Sequence, residues 1–374
     1  MGQSFDVLII GAGIVGAACA RELAAAGASV GVIERDTPGS GATAAGMGHV
    51  VVMDDSTAQL ALTHYSRTLW DALIQSEPER HEYTRCGTIW IAAAAEDMLA
   101  VEQKQRLYNA YHVASEILDA HALYALEPNL RPGLAGGLLV PGDSAVYPPG
   151  SAARLVARAR QHGAALIAGQ AARLEPGGVR LADGSLARGG AVVLANGFRA
   201  IDLAPELPIR AKKGHLAITD RYPGFVRHQL VELGYIKNAH ASSGDSVAFN
   251  VQPRGTGQLL IGSSRQFDVQ TSDLDYRILS RMLSRTLEYI PTLGALSIIR
   301  VWTGLRAATP DGLPLIGPHP ERHGVWLATG HEGLGITTSL GTAKLLAAQI
   351  FGHTPEIPAE PYLPSRSLQG MAHA

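Results

Sequence analysis

A strand, turn, helix and strand unit at the start of the chain constrains the fold more than any other feature. Residues 5–34 read FDVLIIGAGIVGAACARELAAAGASVGVIE. Gly11, Gly13 and Gly16 have the G-x-G-x-x-G spacing, in which the first glycine permits a tight turn, the second admits a pyrophosphate and the third lets helix and strand touch. Glu34 closes the second strand, where a carboxylate accepts both hydroxyls of an adenosine ribose. An ordinary glycine-rich turn is the alternative, and the flanking strands with Glu34 favour dinucleotide binding.

The composition limits the partners of the chain. With 374 residues, two domains or two lobes with interleaved segments are expected. A net charge of -2 and no long basic run give no electrostatic footprint for nucleic acid, which favours small-molecule partners. Cys19 and Cys86 are the only cysteines, so a disulfide framework, a cysteine-ligated cluster and a metal site are not expected. We therefore predict a cytoplasmic protein, without a secretory signal or an apolar run of the roughly 18 residues that a membrane span needs.

Further along the chain, periodicity and turn residues predict the main elements. Residues 35–49 are mostly small and let the backbone approach a ligand closely, with a flexible loop as the alternative. Helices are expected at 57–75, 96–113, 151–162, 274–290 and 338–351, and strands at 88–94, 164–167, 191–197, 258–262 and 324–328. Ala195 and Gly197 end a buried strand, where open α/β sheets bind ligands. The proline-rich tail from His353 is expected to be extended or disordered.

Several separated segments resemble the D-amino acid oxidase (DAO) family of FAD-dependent oxidoreductases, which includes glycine oxidase and sarcosine oxidase. They are the unit from Gly11 to Glu34, AAGM at 44–47, VLANG at 193–197, and GLR at 304–306 followed by TPDGLPLIG at 309–317. Within the family, GMGH at 46–49 and GHEGLG at 330–335 resemble most the FAD subunits of D-hydroxyproline dehydrogenase, opine oxidases and hydrogen cyanide synthase.

The resemblance implies an α/β fold with two interleaved domains. A Rossmann-like FAD-binding domain of the glutathione-reductase type is expected from residues 1–80, 148–210 and 304–374. An α+β substrate domain on a mixed or antiparallel sheet is expected from residues 81–147 and 211–303.

The resemblance also implies where FAD lies. Ser40, Thr43, Ala44 and Ala45 are expected along the pyrophosphate, the next three residues beside the isoalloxazine, and the backbone near Ala172 at the adenine. The further cofactor-binding candidates are Ile14, Val15, Arg35, Gly46, Met47, Gly48, Gly330, Gly333, Leu334, Gly335, Ile336 and Thr337. The start of the last helix is expected at the pyrimidine edge of the flavin, because a helix N-terminus stabilises the negative charge of the reduced ring. Monomeric sarcosine oxidase attaches FAD through a cysteine where this chain has Gly304, so FAD is expected to be held non-covalently.

Arg306 matches the family arginine that pairs with the substrate carboxylate, for which a planar guanidinium fork is well suited. A structural salt bridge is the alternative. Asn250 stands where glycine oxidase has a substrate-binding tyrosine, which leaves the substrate's identity open. His49, His331 and Glu332 are the other polar candidates at the flavin, with a structural role as the alternative for each histidine.

The leading function is oxidation of the C–N bond of a small amino or imino acid to an imine, by hydride transfer to FAD. D-Hydroxyproline, opines, iminodiacetate, sarcosine and glycine are candidate substrates. The electrons pass either to a partner, such as a second subunit with FAD or an iron-sulfur centre, or to oxygen in a self-sufficient oxidase that releases hydrogen peroxide. A non-catalytic electron-relay subunit and an NAD-dependent dehydrogenase are further alternatives, and the oligomeric state stays open.

Overall fold

Two large sheets form the framework of the protein. The computed structural model describes residues 4–76, 78–234 and 244–368. Within these residues the chain forms two eight-stranded sheets and a two-stranded ribbon.

The bounds of the elements are as follows. The strands are β1 Ser4–Ile10, β2 Val30–Glu34, β3 His49–Val50, β4 Thr88–Ala92, β5 Glu116–Asp119, β6 Gly136–Val140, β7 Ser144–Ala145, β8 Ala165–Ala168, β9 Ala171–Glu175, β10 Gly178–Leu181, β11 Leu186–Leu194, β12 Arg210–Thr219, β13 Gln229–Glu232, β14 Ser246–Pro253, β15 Leu259–Phe267, β16 Ile298–Ala308, β17 Leu315–Pro318 and β18 Val325–Thr329. The helices are α1 Ile14–Ala25, α2 Thr57–Ile74, α3 Asp97–Ala110, α4 Ala120–Leu126, α5 Pro148–Gln161, α6 Tyr276–Tyr289, α7 Gly335–Phe351 and α8 Ser365–Leu368. Short 3-10 turns lie at Pro78–His81, Gly197–Asp202, Pro291–Ala295 and Glu360–Tyr362.

The first sheet has the strand order β17-β18-β11-β1-β2-β8, and the strands from β18 to β8 run parallel. Helices α1, α5 and α7 bury apolar side chains against one face, while β9, β10 and residues 198–209 cover the other. Because both faces are covered, β1 and β2 consist almost entirely of buried apolar residues. The carboxyl ends of β1, β2 and β11 therefore meet at one edge of the sheet.

The second sheet has the order β16-β12-β15-β14-β13-β4-β6-β5 and is antiparallel except for the pair β13 and β4. Helix α6 packs against one face through Ile278, Leu279 and Met282. The other face looks toward the carboxyl edge of the first sheet. This architecture confirms the predicted α/β class with a mixed second sheet. Strand β16 continues across residue 304, where the sequence places a domain boundary.

From residue 353 to 359 the tail has no helix or strand, in agreement with the extended alternative, and it then forms the 3-10 turn Glu360–Tyr362 and the short helix α8. Tyr362 is buried, and its hydroxyl donates to the Ala58 carbonyl at 2.6 Å. Arg366 pairs with Asp311 at 2.7 Å. These contacts hold the tail against α2 and the turn between β16 and β17, while residues 369–374 lie outside the described part. Within that part, no helix combines the length and apolar character needed to cross a bilayer.

Candidate active site

The glycine turn between β1 and α1 builds one end of the site. Gly11 has φ +99°, and its N–H donates to the Ile33 carbonyl at 2.8 Å. A Cβ on Gly16 would lie 2.0 Å from the Gly11 oxygen, so this glycine is needed for contact between helix and turn. Because these residues are glycines, they place no side chain of their own over the backbone at the start of α1, on the side of the sheet's carboxyl edge.

Glu34 is held in a fixed orientation at the end of β2. Its side chain is buried; one carboxylate oxygen accepts from the Ala12 N–H at 2.6 Å and the other from the Asp36 N–H at 2.9 Å. A carboxylate has about four lone-pair positions, so each oxygen retains an acceptor position. The Glu34 carboxylate is therefore fixed in place and can accept hydrogen bonds from a pair of hydroxyl groups.

The small-residue loop after Glu34 closes over the turn. The Ile14 N–H donates to Thr43 Oγ1 at 3.0 Å. A Cβ on Gly46 would lie 2.7 Å from Ile336 Cδ1, and one on Gly48, at φ +95°, 2.1 Å from the Val146 oxygen. Gly48 is therefore required, because a Cβ there would meet backbone, whereas a Cβ on Gly46 would displace the end of the Ile336 side chain.

A cavity of about 640 Å³ runs from this turn to the second sheet. Most of the predicted site residues lie on its wall, namely Gly11, Gly13, Ile14, Val15, Glu34, Arg35, Ser40, Thr43, Ala45, Gly46, Met47, Gly48, His49, Ala195, Gly197, Asn250, Arg306, Gly330, His331, Glu332, Gly333, Leu334, Gly335 and Ile336. The structure thus brings residues from both sheets together around one space.

Four predicted residues lie off this wall: Gly16, Ala44, Ala172 and Thr337. The wall near the expected adenine position is formed instead by residues 169–171. Thr337 has a structural position, since its hydroxyl donates to the His49 carbonyl at 2.9 Å and accepts from the Val51 N–H at 3.3 Å. Thr337 thereby ties α7 to the segment that carries His49.

Arg306 reaches its position by lying across a neighbouring strand. It projects from β16, and Nη1 donates to the Ser264 carbonyl on β15 at 3.1 Å. Strand β12 lies between these two strands. A Cβ on Gly214 of β12 would lie 2.4 Å from Arg306 Nη1, so only glycine leaves room for the guanidinium.

Glu332 is surrounded by cations. Lys212 Nζ lies 2.9 Å from Glu332 Oε1, and Arg265 Nε lies 3.9 Å from the same oxygen. Burial raises the pKa of Glu332, but Lys212, Arg265 and Arg306 outweigh it and lower that pKa to about 2. The carboxylate is therefore ionised and serves as a counter-ion, not as a proton donor.

His331 turns away from the polar groups at this end. Its Nε2 lies 2.9 Å from Thr342 Oγ1 of α7, and burial lowers its pKa to about 3. A neutral imidazole bonded to the helix that follows it is a structural element of the wall.

His49 belongs to a chain of hydrogen bonds with defined direction. Gln229 Nε2 donates to the Ser144 carbonyl at 3.2 Å, which directs its oxygen toward His49 Nδ1. His49 Nδ1 therefore carries the proton, and Nε2 accepts from Asn250 Nδ2 at 3.4 Å. Burial lowers the pKa of His49 to about 4, so the ring is neutral. Asn250 Oδ1 is buried and has no hydrogen-bond partner within the described residues.

One family model, described as "DAO: FAD dependent oxidoreductase", matches residues 6–349. The chain belongs to this family. It is 29% identical to the glycine oxidase of Pseudomonas aeruginosa over 98% of this chain and 100% of that protein. It is 25% identical to hydrogen cyanide synthase subunit HcnC of the same species, over 98% and 97% of the two chains. The crystal structure of glycine oxidase from Geobacillus kaustophilus superposes with a TM-score of 0.86 and 26% identity, over 98% of this chain and 99% of that one.

The cavity wall suits the FAD that the family uses. At the expected dinucleotide end it offers the bare turn at Gly11, the oriented Glu34 carboxylate, and Asn196 Oδ1, which is buried without a hydrogen-bond partner in the described structure. Gly304 also lies on the wall, and a Cβ there would be 2.5 Å from Ala45 Cβ. The site therefore has no room for an attachment cysteine as the backbone stands, which supports non-covalent FAD.

Sequence reasoning missed Gly214, Gln229, Arg265 and Lys212. Each acts through a partner that is distant in the sequence and is brought close only by the tertiary fold, such as Lys212 opposite Arg306 in β12 and β16. The apolar alternation of these strands gives no signal for such contacts. A buried cation in a strand, as at Lys212 or Arg265, is the one local hint, since unpaired charges are rarely buried.

Proposed function

We propose that the protein oxidises the C–N bond of a small amino or imino acid to an imine, with FAD as the oxidant. The observation that carries this proposal is Arg306 on the wall of the FAD cavity, held across Gly214 by the Ser264 carbonyl. Its guanidinium binds the substrate carboxylate by two parallel hydrogen bonds, which fixes the position of the α-carbon as well as the affinity. The names of the relatives, glycine oxidase and hydrogen cyanide synthase subunit HcnC, are consistent with this chemistry.

Asn250 is proposed to bind the substrate nitrogen. Its amide N–H is directed to His49, and Asn250 lies on the cavity wall with its buried Oδ1 as an acceptor that has no hydrogen-bond partner in the described structure. A secondary or primary amine has an N–H to donate to such an oxygen. Arg306 and Asn250 together hold the two polar ends of an amino acid, so the asparagine replaces a substrate-binding tyrosine without loss of an anchor.

His49 is a positioning residue in this proposal. It is neutral, its Nε2 already accepts from Asn250, and its Nδ1 donates to Gln229. It therefore sets the orientation of the asparagine amide without taking a proton from the substrate. FAD, when bound, accepts the hydride that leaves the carbon beside the nitrogen. The protein contributes orientation and the exclusion of water.

The test is anaerobic bleaching of the flavin in the isolated chain. Glycine, sarcosine, iminodiacetate, opines and D-proline derivatives are mixed in turn with the holoprotein, and the loss of the oxidised flavin band is followed. We expect at least one of them to bleach the flavin in wild type and to fail in Arg306→Ala. The absence of bleaching by every amino and imino acid would favour the electron-relay subunit.

For the electron acceptor, we propose a partner protein. The similarity to a subunit of hydrogen cyanide synthase along almost the whole chain favours it. Cys19 and Cys86 cannot ligate a four-cysteine iron-sulfur cluster, so any such relay centre belongs to another polypeptide. Stopped-flow reoxidation of pre-reduced protein tests this, with an artificial dye expected to act faster than air. Reoxidation by oxygen as fast as turnover, with stoichiometric peroxide, would identify a self-sufficient oxidase.

A further inference from the structure

A group of four charged residues at the Arg306 end of the cavity has more positive than negative charge. This cation cluster consists of Lys212, Arg265, Arg306 and Glu332. Lys212 and Arg265 are 6% and 5% exposed, so both are shielded from water. Arg265, Arg306 and Glu332 lie on the cavity wall, and Glu332 lies within 4 Å of both Lys212 Nζ and Arg265 Nε. Three cations therefore share one carboxylate.

The other carboxylates on the described cavity wall lie outside the cluster. Glu34 accepts from the backbone N–H groups of Ala12 and Asp36, Asp202 pairs with Arg199 at 3.3 Å, and Asp55 is exposed.

Two acids near β15 serve its opposite face. Asp245 and Asp275 both accept from Gln266 Nε2, at 3.3 and 3.1 Å. Gln266 follows Arg265 in the strand, and successive side chains of a strand point to opposite faces. Residues 235–243, which the structure does not describe, contain no aspartate or glutamate. Among the described residues the cluster thus has an excess of two positive charges.

We infer that the substrate is a dicarboxylate, whose second carboxylate is bound by Arg265 while its first is bound by Arg306. This inference rests on the proposed function and names its substrate class. Hydrogen bonds to neutral groups leave a buried charge in place, whereas a carboxylate neutralises it. An amino acid with one carboxylate offsets one of the two excess charges, and a dicarboxylate offsets both.

The spacing of the two arginines favours a short dicarboxylate. Arg265 lies on β15 and Arg306 on β16, with β12 between them, so the backbones are about 10 Å apart at two strand spacings. Arg306 crosses much of this gap, because its Nη1 reaches the carbonyl of Ser264, the residue before Arg265. The two guanidinium groups therefore face a compact ligand such as iminodiacetate, in which a few bonds separate the carboxylates.

Two matched pairs of compounds test the inference on the holoenzyme. Diglycolate and methoxyacetate differ by one carboxylate and lack the nitrogen that is oxidised, so their binding is measured from the perturbed absorption of oxidised flavin. Iminodiacetate and sarcosine are the oxidisable pair with the same difference. We expect wild type to bind diglycolate at least about tenfold more tightly than methoxyacetate, and to show a similar ratio of kcat/KM for the oxidisable pair.

Arg265→Gln is expected to reduce both ratios to within about twofold of unity, and Arg265→Lys to retain an intermediate ratio, because an ammonium keeps the charge without the fork. Arg300→Gln removes an exposed arginine from β16 and is the control for general electrostatics. It should leave the ratios as in wild type.

The outcomes separate this inference from the proposed function. Equal affinity of wild type for diglycolate and methoxyacetate overturns the inference, as does weakening of both by the same factor in Arg265→Gln. Bleaching by a monocarboxylic amino acid would then still support the proposed function. Conversely, a preference for diglycolate without bleaching by any amine would support the second carboxylate position and refute the amine oxidation. The wild-type comparison needs no variant, so misfolding of Arg265→Gln does not remove the test.

Discussion

Arg306 shows how the action of one side chain depends on the backbone beneath it. The guanidinium lies over Gly214 and is held by the Ser264 carbonyl, so its plane is fixed before a carboxylate arrives. Such preorganisation is what allows a fork to orient a substrate as well as attract it.

Replacement of Arg306 is expected to impair turnover even when the charge is kept. In Arg306→Lys a single ammonium cannot reproduce two parallel bonds, and the α-carbon moves relative to the flavin. We expect kcat/KM to fall at least about tenfold, or about 1.4 kcal/mol, and further in Arg306→Ala. Steady-state kinetics with the best bleaching substrate measures this, and Arg300→Lys on the same strand is the control. Near wild-type kinetics for Arg306→Ala would refute the role in carboxylate binding.

The residues of the first motif were predictable because they act locally. The turn at Gly11 and the carboxylate at Glu34 lie within one supersecondary unit, whose glycine spacing and strand pattern are visible in the sequence. Arg265 was not predictable in this way, because its proximity to Glu332 follows from the placement of β15 beside the loop before α7. The position of Arg265 in an apolar strand does not reveal which residue it contacts or which face of the sheet its side chain lies on.

At the scale of elements, the sequence predicts which helices and strands form better than it predicts the residues at which they begin and end. The helix expected at 57–75 runs from Thr57 to Ile74, while the one expected from about residue 338 already begins at Gly335. Glycines at this end suggested a loop, but Trp70 Nε1 donates to the carbonyls of Ile336 and Thr337 and holds the first turn in place. Tertiary contacts therefore outweigh the low helix propensity of glycine here.

Strand β12 is expected to control the position of Arg306 through Gly214. A methyl group in Gly214→Ala displaces the end of a flexible side chain and leaves the backbone unmoved, so stability should change little. We expect KM to rise about tenfold, with FAD occupancy retained and the melting temperature within about 2 °C of wild type. Gly294→Ala, where a methyl group meets only an ordinary contact with Leu287, is the matched control. An unchanged KM in Gly214→Ala would show that the guanidinium position is not needed.

We expect the contact between β16 and the small-residue loop to determine whether FAD is attached covalently. Acid precipitation of wild type should leave all flavin in the supernatant, because Gly304 offers no sulfur. Gly304→Cys is expected to lower FAD occupancy without attachment, since its Cβ would lie 2.5 Å from Ala45 Cβ. The double variant Gly304→Cys with Ala45→Gly should recover occupancy. Flavin in the wild-type pellet would contradict non-covalent binding.

At the scale of the whole molecule, packing around and beyond the cavity buries several titratable groups. Burial lowers the pKa of His49 to about 4 and of His331 to about 3, from an ordinary value of 6.5. Burial raises the pKa of Asp143 to about 6, from 3.8. These groups make the stability of the protein depend on pH, and the direction of each pKa shift decides whether that group favours folding at high or at low pH.

Each buried histidine has a folded pKa below its unfolded pKa, so below pH 6.5 the unfolded chain binds a proton that the folded chain does not. Stability is therefore lost as pH falls from about 6.5 toward 4, at about 1.4 kcal/mol per pH unit for each histidine. Asp143 acts in the opposite sense between its two pKa values, and it offsets about one histidine. From pH 6 to 4.5 we expect a net loss of at least about 1.4 kcal/mol per pH unit, because burial also lowers the pKa of His64, His215 and His319, which acts in the same sense. Urea unfolding at saturating FAD, repeated at a series of pH values, measures this slope.

The variant His331→Gln keeps a donor for Thr342 but has no titrating ring, so it should reduce the slope by about one proton. The control is His323→Gln at an exposed position, which should leave the slope unchanged. An unchanged slope in His331→Gln would mean that this histidine is already protonated in the folded protein, in conflict with its buried contact with α7.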